Sequence, residues 1–228
     1  MSWLGVGLLT VWFWTGLPFC HSQQHWGRMT PASPIFSPDG TRVAFLGFVY
    51  VIRPPVGICT FPDGGTPLKI RQEMQVYVVP LEGGAPRLVA TIPIPLRLEV
   101  PASGSYRLIG WDQDELFFWV AVVQPGPSRS WRQYYAAQMT DGIFRELPRE
   151  IGPELDRRFW GFQRFAPHDQ KQWVDYDDEL GIIGIFTGGK WQFDAERKSV
   201  FTSGFPPTSL IRVIVDRTAL EQLQPQLQ

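Results

Sequence analysis

The sequence predicts an all-β fold made of repeated antiparallel strand units. Three observations carry that prediction. The chain combines 22 Gly and 21 Pro with an aromatic content of 14%, including 10 Trp and 16 Phe. Turn formers and large flat side chains in that mixture suit many short strands. Two nearly continuous apolar runs, Val43–Ile52 and Leu116–Val123, each follow an aspartate-bearing turn, Ser37-Pro38-Asp39-Gly40 and Asp112-Gln113-Asp114. Continuous rather than alternating hydrophobicity implies burial on both faces, as in a strand covered by neighbouring sheets. Finally, the strand–turn–strand pattern recurs with turns near Asp39, Asp112 and Asp169.

At 228 residues, 44% hydrophobic and 19% charged, the chain is long enough for a sizeable core and belongs to the globular class. A formal net charge of −1 offers no polyanion-binding surface. Residues Trp3 to Phe19 are almost wholly apolar, and Cys20-His21-Ser22 puts small residues at the −3 and −1 positions of a cleavage after Ser22. Residues 1–22 are therefore read as a secretory signal peptide. No Lys or Arg precedes the run, so an uncleaved anchor over residues 3–19 is the alternative, although that is short against the roughly 20 residues of a spanning helix. Leu17-Pro18-Phe19 makes a poor lipobox before Cys20. Cleavage leaves Cys59 as a lone thiol, which cannot form an internal disulfide.

Residues 23–216 form the predicted domain. Gln23 to Thr30 is a linker or an incoming edge strand, and Pro34 to Ser37 a short strand. Pro38, Asp39 and Gly40 supply the fixed φ, the backbone-bonding carboxylate and the positive φ of a tight turn, so Ser37, Pro38, Asp39 and Gly40 are assigned a structural role. Arg53 to Glu73 interrupts the pattern and is read as an insertion loop with a hairpin turn at Asp63-Gly64. The first unit closes over Met74–Val89. A second opens at Tyr106–Trp111, continues from Glu115 to Val123 and Arg132 to Met139, and closes over Ile143–Leu147. The third is degenerate: Phe159–Phe165 is expected to open it as a strand, Gln170–Glu179 to be an acidic loop, and Leu180–Thr187 to pair with Lys190–Phe193 across Gly188-Gly189. Leu210–Val215 is a last strand. Thr218-Ala219-Leu220-Glu221 has capping-box spacing, so a short helix or frayed tail is expected over 217–228.

The segment Pro34-Ile35-Phe36-Ser37-Pro38-Asp39-Gly40-Thr41-Arg42-Val43-Ala44-Phe45 resembles the signature of TolB-type β-propeller repeats. The likeness is closest over 34–93, looser over 105–148 and most degenerate over 159–215, and only the first unit carries Pro-Asp-Gly intact. The resemblance implies a β-propeller-like fold of about three to four blades. A blade needs roughly 40–50 residues, and three are too few for a standard ring. Residues 23–33 and 203–216 could build part of a fourth; otherwise the ring is open or incomplete, or the same hairpins form a sandwich. Such blades bury their faces only by stacking. Members of that family look like periplasmic adaptors that hold protein partners at the cell envelope by the propeller mouth and surface loops.

No chemistry-bearing motif competes with that reading. Gly-x-Ser-x-Gly is absent. Asp175-Tyr176-Asp177-Asp178-Glu179 lacks an EF-hand's glycine and spacing, and no Cys/His set has zinc spacing. The Gly-Gly pairs sit between strands, not before helices, so none cradles phosphate. Arg157, Arg158, Arg164 and Lys171 interleave with aromatics, a pattern that also serves single-stranded nucleic acid, but packing between blades explains it more simply in an exported chain. The expected function is thus a periplasmic or secreted, non-enzymatic binding or scaffold protein, without cofactor or metal. Its partner-binding residues are expected in two loops, represented by Arg53, Pro54 and Phe61 and by Trp131. The alternatives are a propeller lyase or hydrolase with a central pocket built from Asp175, Asp177, Asp178 or His168, and a detached sensor module.

Overall fold

The computed structural model describes residues 26–53, 68–101, 105–124, 129–159, 162–188, 192–194, 199–201 and 208–225. It is mostly β, with three four-stranded antiparallel sheets, none of them closed. The first runs β1 (Trp26–Phe36), β2 (Arg42–Arg53), β3 (Leu68–Pro80) and β4 (Arg87–Pro93) in sequence order. The second repeats that order with β5 (Tyr106–Asp112), β6 (Glu115–Gln124), β7 (Arg129–Gln138) and β8 (Phe144–Leu147). After helix α1 (Gly152–Phe159) come β9 (Phe165–Ala166), β10 (Asp169–Asp177) and β11 (Ile182–Thr187), then a small hairpin of β12 (Gln192–Asp194) and β13 (Ser199–Phe201). The third sheet is completed by β14 (Ser209–Val215) in the order β14-β11-β10-β9, and helix α2 (Arg217–Gln222) follows.

The first sheet lies in the middle of the stack. Leu46, Met74 and Val76 on one face pack with Leu108, Leu116 and Phe118 of the second sheet. Val43, Phe45 and Val79 on the other pack with Val174, Ile183 and Ile185 of the third. Alternate residues of β2 therefore enter different cores, which is why its sequence reads as apolar throughout. Each fully buried Phe or Leu there contributes roughly 1.5–3 kcal/mol. In the same way Leu116 and Phe118 of β6 face the first sheet, while Phe117 and Trp119 face α1.

On each of the edge strands β1 and β5 one residue's backbone is engaged by a glutamine side chain. The Gln224 amide accepts from the Met29 N–H at 2.7 Å and donates to its carbonyl at 3.1 Å. The Gln163 amide makes the same reciprocal pair with the Trp111 backbone. Each glutamine satisfies groups that would otherwise await another strand.

Several sequence expectations are corrected. The segment up to Phe159 is helical, and Phe162–Arg164 is a 3-10 turn, so only Phe165–Ala166 opens the third sheet as strand. Pro153 and Glu154 at the start, Arg157 and Arg158 at the end, and Leu155 and Phe159 four residues apart all favour a helix with one apolar face, and outweigh the β-propensity of the aromatics. Gln170–Glu179 is not a polar loop: most of it is β10, with Trp173 and Val174 buried on opposite faces. β11 pairs with β10 and β14 rather than with the strand after Gly188. Ile214 and Val215 gain burial in that long-range pairing, which a local turn signal does not supply. The expected insertion is strand at both ends, since Arg53 belongs to β2 and Leu68–Glu73 to β3. Asp216, not Thr218, caps α2, accepting from the Ala219 N–H at 2.8 Å. The N-terminal 22 residues and Cys59 lie outside the described residues. Among those described, no helix is long and apolar enough to cross a membrane.

Candidate functional site

The Ser37–Gly40 turn is held by its own side chains. The Arg42 N–H donates to the buried Ser37 Oγ at 2.9 Å, and the Ser37 hydroxyl donates to the Asp39 carboxylate. The Thr41 N–H adds a bond to Asp39 Oδ1 at 3.1 Å. These bonds, the Ser37 hydroxyl first, pull Asp39 down to about 2. A carboxylate so engaged is a poor base. Gly40 has a φ of 70°, and a Cβ there would stand 3.3 Å from the Pro167 ring. The turn therefore abuts its counterpart at the start of β10. The cleft between them, 330 Å³, is walled by residues such as Pro38, Gln163 and Pro167, and its lining carries no ionisable group.

The carboxylates and the histidine singled out by sequence do not converge. Asp175 Oδ2 lies 3.6 Å from Arg164 Nη1, with both side chains largely buried. Burial, its largest influence, lowers the Arg164 pKa, against the opposing pull of Asp175. Asp177 Oδ1 accepts from the N–H groups of Glu179 and Leu180 at 3.1 and 2.9 Å, closing the turn into β11. Asp178 is exposed on that turn. His168 stands at the opposite end of β10, a nine-residue strand rising about 3.3 Å per residue. A single pocket using His168 with Asp177 or Asp178 is thus excluded by distance. Among the described residues, no three His, Cys, Asp or Glu side chains group as metal ligands.

Of the expected partner-binding residues, Pro54 and Phe61 lie outside the described residues, and Arg53 ends β2. Trp131 is in β7, half-buried against the core between the first two sheets, with the Arg149 guanidinium 5.0 Å from its ring centre. β6 reaches Gln124 and β7 begins at Arg129, so Gln124 and Arg129–Trp131 of the expected Gln124–Trp131 loop are paired strand, and residues 125–128 lie outside the described residues.

Sequence reasoning did not single out the apolar strand that is most exposed among the described residues. β14 shows Leu210, Ile211 and Val213 at 42%, 49% and 42% exposure. Leu210 and Val213 lie opposite Phe186 and Gly184, on the face turned away from the first sheet. A Cβ on Gly184 would meet Leu210 Cδ1 at 2.7 Å, so Leu210 leans across a glycine rather than a larger neighbour. Two register shifts leave Ile211 and Ile214 as extra residues. Such bulges twist an edge strand and discourage simple strand addition. What β14 presents is therefore its side chains more than its backbone.

No family model, no curated protein and no solved structure matches this chain.

Proposed function

We propose that this chain is an exported, non-enzymatic binding or scaffold protein, an open propeller-like array that takes a protein partner on the outer face of its third sheet. The observation that carries this reading is the exposed apolar strip Leu210, Ile211 and Val213 on β14. Both faces of the first sheet are covered by other sheets, and the outer face of the second is covered by a helix. The partner that suits the strip presents an apolar sheet face, continuing the packing used elsewhere in the stack. The apolar N-terminal segment supports export, and the likeness to TolB-type repeats supports an adaptor role at the cell envelope.

The test compares partners recovered with the native chain and with a Leu210→Glu, Val213→Lys variant. The variant is expected to keep its fold by circular dichroism and to lose a specific partner. Replacing Pro54–Pro67 by a short Gly-Ser linker should leave that partner bound. If the linker variant loses it and the face variant does not, the binding surface lies on the loop instead. Identical partner sets for all three proteins would overturn the reading.

A further inference from the structure

At the end of the stack where β1 begins, a cleft of 440 Å³ opens between the first and second sheets, over the rim of their shared core. That volume lies within the roughly 300–1,000 Å³ range of small-ligand sites. Its walls are built by register. Arg28, Tyr50 and Gln72 form one row across β1, β2 and β3, and Thr30 and Phe48 belong to the next row on the same face. Lys69 joins them through a bulge. Val51 pairs with Arg71 and Ile52 with Lys69, which leaves Ile70 as the extra residue. Without it Lys69 would fall on the opposite face; with it, Lys69 lines the cleft.

The chemistry of the lining is selective. Arg28 and Lys69 bring two cations, and among the described residues neither has an ion pair or hydrogen bond. Asp178 and Glu221 lie with Arg28 on the adjoining cleft, beyond ion-pair distance of it. Three rings supply apolar walls: Phe48 stands 5.7 Å from Tyr106 and 6.1 Å from Tyr50, centre to centre. Tyr106 donates its hydroxyl to the Thr30 carbonyl at 3.1 Å, and burial raises it to about 12, so it stays neutral at physiological pH. Gln72 is 4% exposed, and its Nε2 donates to the Leu98 carbonyl at 3.2 Å. Its amide oxygen accepts nothing among the described residues.

We infer that this cleft binds a small organic anion with a flat apolar body, its charge held by Arg28 and Lys69 and its body laid against Phe48, Tyr50 and Tyr106. The site is separate from β14 and stands independently of the adaptor reading. Calorimetric titration of the full chain with naphthalene-2-carboxylate, and with its neutral isostere naphthalene-2-carboxamide, tests it. The carboxylate should bind saturably at one site, about tenfold tighter than the carboxamide, since charge-assisted bonds are the stronger ones. Arg28→Gln with Lys69→Gln should erase most of that preference while leaving near-ultraviolet circular dichroism unchanged. A Val100→Trp variant, which fills the cleft, should weaken both probes. Equal binding of the two probes, no saturable binding in the millimolar range, or a preference that survives the double variant would overturn the proposal. So would a loss of binding in the Leu210→Glu, Val213→Lys variant, which would place the probe on the third sheet.

Discussion

The two outer sheets of the stack end differently. The second is closed by α1, which sets Leu155 and Phe159 against Ile109, Phe117, Trp119 and Tyr134. The approach is close. A Cβ on Gly110 would lie 2.1 Å from the Phe159 ring, and one on Gly152 would lie 2.3 Å from Tyr134. Among the described residues, the outer face of the third sheet has a small buried trio, Phe165, Trp173 and Phe186, while β14 beside it leaves Leu210 and Val213 exposed. Stacked architectures need polar or covered terminal faces to stay soluble. Among the described residues, one end of the stack is finished by a fitted helix and the other shows an apolar strip, which is the contrast the proposed binding face rests on.

The largest expected effect breaks the finished end. Phe159→Ala should cost about 3–5 kcal/mol, the range for removing a buried aromatic ring, and should appear as a lower urea midpoint. A loss below about 1 kcal/mol would mean that α1 does not cap the sheet. Next, Gln163→Leu removes both bonds to the Trp111 backbone and should cost roughly 1–3 kcal/mol. The Trp111 amide should then exchange with solvent faster, while amides of β2 stay protected; a uniform change would make Gln163 a generic packing residue. Third, Leu210→Glu with Val213→Lys should shift stability by only about 0.5 kcal/mol in either direction, as surface changes do, even as the partner is lost. If that pair destabilises as much as Phe159→Ala, the two ends are alike and the contrast fails.

The smallest effect is a matter of pH. Asp39 has its pKa lowered from the ordinary 3.8 to about 2 in the fold. Its contribution is therefore present above about pH 4 and is lost as pH falls through about 2. Because Asp39 is solvent-exposed, the change should be modest. Its turn abuts Pro167, so amides of β10 should lose protection in that window before those of α1 do. Asp39→Asn should flatten the difference, and an unchanged exchange profile from pH 5 to 2 would count against it.

Legibility in the sequence follows the locality of the interactions. The doubly buried runs of β2 and β6, and the turns at Asp39 and Asp112, were readable because burial pattern and turn chemistry are written in neighbouring residues. The third sheet was not, because β11 takes its partner from Ser209–Val215, across an intervening hairpin. α1 was hidden by the aromatics at its end, whose strand preference competes with the Leu155–Phe159 spacing. Among candidate site residues, Ser37 and Asp39 showed their turn role openly. Lys69 did not, since a one-residue bulge at Ile70 decides which face it joins, and nothing in Leu68–Arg71 announces it. Asp175, Asp177 and Asp178 looked like a cluster in sequence, but Asp175 is engaged by Arg164, Asp177 by the backbone of the following turn, and Asp178 is exposed on that turn.

The position of the first sheet also bears on how the chain reaches its folded state. Of the three sheets it comes earliest in the chain, yet it is the one whose two apolar faces are both covered by other sheets. The strands that cover one face begin at Tyr106, and those that cover the other are complete only at Val215. Until then the face that packs on the third sheet lacks that cover. Contacts that distant in sequence close slowly, and intermediates with exposed sheet faces aggregate. The central sheet, the best protected part of the finished molecule, is the part most exposed to misassembly while the molecule is being made.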